Sequence, residues 1–215
     1  MNLLKDNVYK LYFKYFFPTM CAALSTSIYI LFDTIFIGQG VGSLGLTALN
    51  IALPIYSIYF GTGLLIGIGG STLMSIEKGR EREDKAQKIF TLSFVFGLIL
   101  AIIYTIVGFV FLEEIAVILG ATKEVLPLVK EYMIVVVFGT IPFVMGSILA
   151  PFIRADKAPK KAMFAVIFSG VLNIILDYIF VFPLKMGMKG AAIATVFSYT
   201  ISFLILLTHL LSKNN

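Results

Sequence analysis

Residues Ala162–Phe182 read AMFAVIFSGVLNIILDYIFVF, an unbroken apolar run with a single charged residue, Asp177, about two-thirds of the way along it. As a helix this run is long enough to cross the roughly 30 Å of hydrocarbon in a bilayer. A carboxylate inside hydrocarbon costs several kcal/mol, roughly 3 on insertion scales, so an acid kept there marks a functional site by default. One other of the chain's 12 acidic residues occupies such a position, Asp33. Whether the two acids meet depends on how many spans lie between them and which way each one runs.

Composition points to the same environment. The 215 residues are 59% hydrophobic and only 13% charged, with a mean hydropathy of +0.98. Soluble domains carry about 25% charged residues. The chain reads as an all-α integral membrane protein. Cys21 is the single cysteine and reads as a small packing residue; it excludes an internal disulfide. Trp is absent, which leaves ten Tyr and the basic residues as interfacial anchors.

Six apolar stretches are long enough to span, near Tyr15–Ile37, Leu49–Ile76, Ile89–Leu112, Tyr132–Ile153, Ala162–Phe182 and Gly190–Leu211. The expected organisation is an interfacial amino-terminal segment (1–14), a six-helix transmembrane lobe (15–211) and a short tail (212–215). The 17 basic residues are unevenly placed. Thirteen fall on the side of both termini, including Lys78, Arg80, Arg82, Lys85 and Lys88 in one loop and Arg154, Lys157, Lys160 and Lys161 in another. Lys123, Lys130, Lys185 and Lys189 fall on the opposite side. The positive-inside rule therefore places both termini in the cytoplasm and the chain in the plasma membrane as a multi-pass protein. Topology accounts for the net charge of +5, so the basic balance does not call for nucleic acid as a partner; the lipid bilayer is the expected one.

With this orientation the first and fifth spans both run outward. Asp33 and Asp177 then lie roughly 8–9 Å below the outer boundary of the hydrocarbon. Asn173 is one turn deeper than Asp177 on the same face, and Thr195 reaches nearly the same depth on the returning sixth span. Two acids held together in low dielectric cannot both ionise cheaply, which suits proton binding and release. The same oxygens could hold a hard cation such as sodium. Pro18 removes a backbone hydrogen bond early in the first span, and Pro54, Pro142 and Pro151 are expected to interrupt the second and fourth. Gly63 and Gly67 form a small-xxx-small pair that allows close helix approach. His209 reads as an interfacial histidine. No catalytic constellation is present, and the chain is not read as an enzyme.

The stretch Leu172-Asn173-Ile174-Ile175-Leu176-Asp177, followed by Gly187-Met188-Lys189-Gly190-Ala191-Ala192-Ile193-Ala194-Thr195, resembles the multidrug and toxic compound extrusion (MATE) family. So do the basic segment Arg154–Lys161 and the segment from Phe17-Pro18 to Asp33-Thr34-Ile35-Phe36-Ile37-Gly38. The resemblance implies secondary efflux of amphipathic or cationic compounds by antiport against protons or sodium, with no cofactor beyond the coupling ion. It implies that Asp33, Asn173, Asp177 and Thr195 form the cation or proton site, that Tyr29 is a polar neighbour and that Pro18 is a kink proline of helix one. Tyr178 departs from the family pattern, where many relatives carry Pro. Family members have two six-helix lobes and this chain matches the first. A second lobe, as a separate chain or in a homodimer, is the expected partner; a truncated, inactive lobe is the alternative. A lipid-linked saccharide flippase of the same superfamily is a further reading, although no Lys or Arg lies inside any span. An intramembrane aspartyl protease would need a Gly-x-Gly before its Asp, and Ile174-Ile175-Leu176 precedes Asp177.

Overall fold

The computed structural model describes residues 8–210. Lys5, Lys213 and the tail 212–215 lie outside the described residues. The chain forms α1 (Val8–Gly40), α2 (Ser43–Gly79), α3 (Glu83–Val110), α4 (Leu112–Ile118), α5 (Leu126–Phe138), α6 (Thr140–Ala155), α7 (Pro159–Val181) and α8 (Gly187–Leu210), with no strand among the described residues. Five of these helices are each long and apolar enough to cross a membrane, and α5 and α6, bent by 54° at their junction, meet the same criterion as a pair. The protein is a multi-pass membrane protein, and its spans number six when the bent pair is counted as one.

Helix α1 begins at Val8, within the segment read as interfacial. Two prolines expected to interrupt spans do not: α2 runs unbroken through Pro54 and α6 through Pro151. The short helix α4 follows α3 after a single residue, and the acidic pair Glu113 and Glu114 sits in its first turn, where the helix dipole favours negative charge.

The break in the fourth span has a local cause. A proline ring clashes with the carbonyl four residues earlier and offers that carbonyl no N–H. For Pro142 that residue is Phe138, the last of α5. Pro142 then sits in the first turn of α6, where backbone N–H groups lack helical partners in any case. The Thr140 hydroxyl donates to the Val137 carbonyl at 2.8 Å and satisfies part of the broken ladder. The corner is pressed against α8, because a Cβ on Gly139 would approach Val196 Cγ2 to 2.6 Å.

The helices pack as two groups. In the first, α2, α3 and α6 enclose Met145, Ile148 and Phe152. Glycines on α2 let its backbone approach α6 closely: a Cβ on Gly67 would lie 2.9 Å from the Ile148 carbonyl oxygen, and one on Gly63 would overlap the Ser147 hydroxyl. The Gly63/Gly67 pair is thus a packing surface. In the second group α1 lies along α7, and α7 along α8. Helices α5 and α6 join the groups through α8. Helices α1 and α2, consecutive in the chain, touch only sparsely, which leaves a cleft between them.

Candidate functional site

The cleft between α1 and α2 holds a cavity of about 270 Å³. Helix α1 presents Thr26, Tyr29, Ile30 and Asp33 to it, spaced three or four residues apart along one face. Helix α2 presents Asn50, Leu53, Tyr56 and Ser57 from the opposite wall. Tyr132 of α5, Phe143 of α6 and Thr195 and Tyr199 of α8 close the back.

Asp33 is partly exposed to this space, and its Oδ1, which is buried, has no hydrogen-bond partner among the described residues. Asp177 is fully buried, and among the described residues neither of its carboxyl oxygens has a hydrogen-bond partner. The two acids are within electrostatic reach of each other. Asn173, 2% exposed, donates from Nδ2 to Thr195 Oγ1 at 3.4 Å, while its Oδ1 is another buried acceptor without a partner. The structure therefore brings Asp33, Tyr29 and Thr195 to one cavity, and links Asn173 to it through Thr195. Asp177 is sealed inside the bundle and does not line the cavity. Pro18 is buried on α1 but lies 15 residues from Asp33, roughly 22 Å along the axis, and does not reach the cavity.

Five aromatic residues of the cavity, Tyr56, Phe60, Tyr132, Phe143 and Tyr199, escaped the sequence reading. Tyr29 and Tyr199 share a hydrogen bond between their hydroxyls. The Tyr56 hydroxyl donates to that of Tyr132 at 3.1 Å. Phe143 joins the two pairs, with ring centroids 4.0 Å from Tyr199 and 5.0 Å from Tyr56. A buried tyrosine needs a hydrogen-bond partner for its hydroxyl. Tyr56 and Tyr199, which lie inside apolar spans rather than at their ends, were the available signal.

Chemically, the site combines unpaired carboxyl, carboxamide and hydroxyl oxygens with an aromatic wall. An ionised acid without a partner in a low-dielectric interior is strongly unfavourable, and a proton or a hard cation relieves that penalty. The acceptor oxygens of Asp33, Asn173 and Asp177 fit either occupant in chemistry.

The MatE family model matches residues 18–179 of this chain. The chain belongs to the MatE family. It is 34% identical over 212 residues to the multidrug export protein MepA of Staphylococcus saprophyticus, a match that covers 98% of this chain and 47% of that protein. MepA of Staphylococcus aureus is 32% identical over the same extent. Among solved structures, a crystallised MATE mutant superposes with a TM-score of 0.92 at 26% identity, covering 99% of this chain and 48% of the other. A MOP superfamily transporter from Pyrococcus furiosus superposes with a TM-score of 0.88 at 27% identity. The chain spans about half the length of the curated relatives it matches. MatE proteins are transporters rather than enzymes.

Proposed function

We propose that this chain is a lobe of a secondary active exporter that moves amphipathic or cationic compounds out of the cell by antiport against protons or sodium. The observation that carries this reading is the pairing of an acid that opens onto a cavity, Asp33, with a sealed acid within electrostatic reach, Asp177. The likeness to MepA, a multidrug export protein, supports the substrate class. Asp33, Asp177, Asn173 and Thr195 bind the coupling ion, and Tyr29 tunes Asp33 from one turn away on α1. Neutralising Asp33 removes the penalty on its side of the cleft and lets α1 pack more closely towards α2, which shrinks the space open to the exported compound. Pro18 supplies the weak point in α1 at which such a movement is absorbed.

Export also needs a second six-helix lobe, from a separate chain or a second copy. Lobes in transporters of this kind are repeats related by an axis along the membrane normal. Six spans return the chain to the side on which it starts, and so permit that arrangement.

The test is efflux of a fluorescent organic cation from cells expressing this chain together with the second lobe, comparing wild type with Asp33→Asn and Asp177→Asn. Each variant is expected to lose at least about tenfold in efflux rate at equal membrane abundance, as a single essential ionisable group would require. Full efflux in both variants overturns the coupling role. Dissipating the proton and sodium gradients separately identifies the coupling ion.

A further inference from the structure

The turn between α2 and α3 is only three residues long, 80–82, and Glu81 takes a left-handed conformation there (φ 61°). It lays the cytoplasmic end of α2 against the start of α3. Glu77 accepts a hydrogen bond from Arg80 at 2.9 Å and pairs with Arg82 at 3.6 Å. These contacts fix the Arg80 guanidinium at the mouth of a groove of about 480 Å³ between the two helices. Lys85 and Lys88 enter the same groove from α3. Among the described residues neither lysine has an ion-pair partner. Three cations thus face one carboxylate.

Below this rim the lining turns aliphatic. Ile76 and Leu73 lie about 6 and 10 Å further into the membrane along α2, at 45% and 56% exposure, and Ile89 faces them from α3. A soluble anion would use only the rim. A cationic rim above an exposed aliphatic wall matches a phospholipid, with its phosphate at the surface and its acyl chain below.

We infer that this groove is a binding site for an anionic phospholipid of the cytoplasmic leaflet. Arg80, Lys85 and Lys88 hold the phosphate and headgroup, and Leu73 and Ile76 take the first part of an acyl chain. Basic pockets between transmembrane helices on the cytoplasmic side recognise such headgroups by this combination of charge and depth. The outer loops, with four basic residues against four acidic ones, offer no counterpart.

Native mass spectrometry of the full chain in neutral detergent, titrated with phosphatidylglycerol or phosphatidylcholine, tests the site. One phosphatidylglycerol should be retained in preference to phosphatidylcholine. Retention should weaken about 30-fold in Lys85→Gln/Lys88→Gln, on about fivefold per lysine near an anionic headgroup. The Lys85→Arg/Lys88→Arg variant should restore it, and the outer-side Lys123→Gln/Lys189→Gln variant should leave it unchanged. Equal retention in the double Gln variant, with helix content intact by circular dichroism, overturns the site. Displacement of the lipid by millimolar inorganic phosphate shows a site for the free anion and overturns the lipid assignment.

Discussion

Asn173 and Thr195 join α7 to α8 through a side-chain hydrogen bond of 3.4 Å, and that bond stands directly behind the cavity onto which Asp33 opens. The Asn173 carboxamide has one face committed to Thr195 and its oxygen unpaired. The pair therefore fixes the distance between two helices while leaving an acceptor available beside Asp177, one turn away on α7.

Loss of either partner should be felt as stability. Thr195→Val keeps the side-chain shape and removes the acceptor, which strands a buried carboxamide donor. The expected cost is about 1 kcal/mol, within the range for side-chain hydrogen bonds in membrane bundles. Adding Asn173→Leu should cost less than the sum of the single changes, since the two groups act on each other. Thermal unfolding of the four proteins in one detergent measures the coupling, and strict additivity would show that the bond contributes nothing.

Two glycines two residues apart should respond oppositely to alanine. At Gly67 an added Cβ would lie 2.9 Å from the Ile148 carbonyl oxygen and 3.0 Å from its Cα, both backbone atoms that cannot swing away. Gly67→Ala should destabilise by roughly 1–3 kcal/mol, the usual cost of overpacking. At Gly69 nothing lies within 4 Å, so Gly69→Ala should be neutral or stabilise by up to about 1 kcal/mol through helix propensity. Melting temperatures of the two variants against wild type decide the matter.

Where the ends of α2, α6 and α8 meet, Asp156 ties three elements together. Lys78 of α2 bonds its Oδ1 at 2.6 Å, and His209 of α8 contacts its Oδ2 at 3.0 Å. Burial by itself would raise the Asp156 carboxyl, but the hydrogen bonds and charges of Lys78 and His209 outweigh it and hold the carboxyl below its ordinary range. A folded-state value depressed in this way adds stability above the unfolded value of about 4, and that stability is lost as pH falls through the folded value. Asp156→Asn should therefore flatten the acid limb of the stability profile, below about pH 4, relative to wild type. Unfolding curves from neutral pH downwards show it, and parallel acid limbs in the two proteins would refute it.

The orientation can be tested with the chain's own chemistry. Cys21 is the single native cysteine. In a Cys21→Ala background, Lys85→Cys should react with a membrane-impermeant maleimide only after the cells are opened, whereas Lys123→Cys should react in intact cells. The reverse pattern would invert the assigned topology.

Pro54 shows where reading from sequence alone goes astray, and His209 shows what it leaves out. A lone histidine near the end of a span reads as interfacial, and its partner Asp156, 53 residues away in the chain, is not visible from that position. Pro54 looks like an interruption, yet α2 continues through it, because α2 is held against α6 along much of its length and a single lost hydrogen bond does not outweigh that packing. Pro142 does end a helix, since its effect falls where Gly139 also lets the chain turn against α8.

The amino-acid sequence by itself determined the apolar helices, and its uneven basic loops supplied the expected direction of each and so the expected depth of Asp33, Asp177, Asn173 and Thr195. Bilayer thickness sets the length of an apolar helix, basic loops set its direction, and depth follows from a constant rise per residue. Only the tertiary structure decided which way each of these side chains faces around its helix axis. It turned Asp33 and Thr195 to the α1–α2 cleft with Tyr56, Tyr132, Phe143 and Tyr199, and it sealed Asp177 inside the bundle. Facing depends on contacts between helices distant in the chain, such as the glycine-mediated approach of α2 to α6 and the packing of α1 along α7 rather than α2, and no local rule of spacing carries that information.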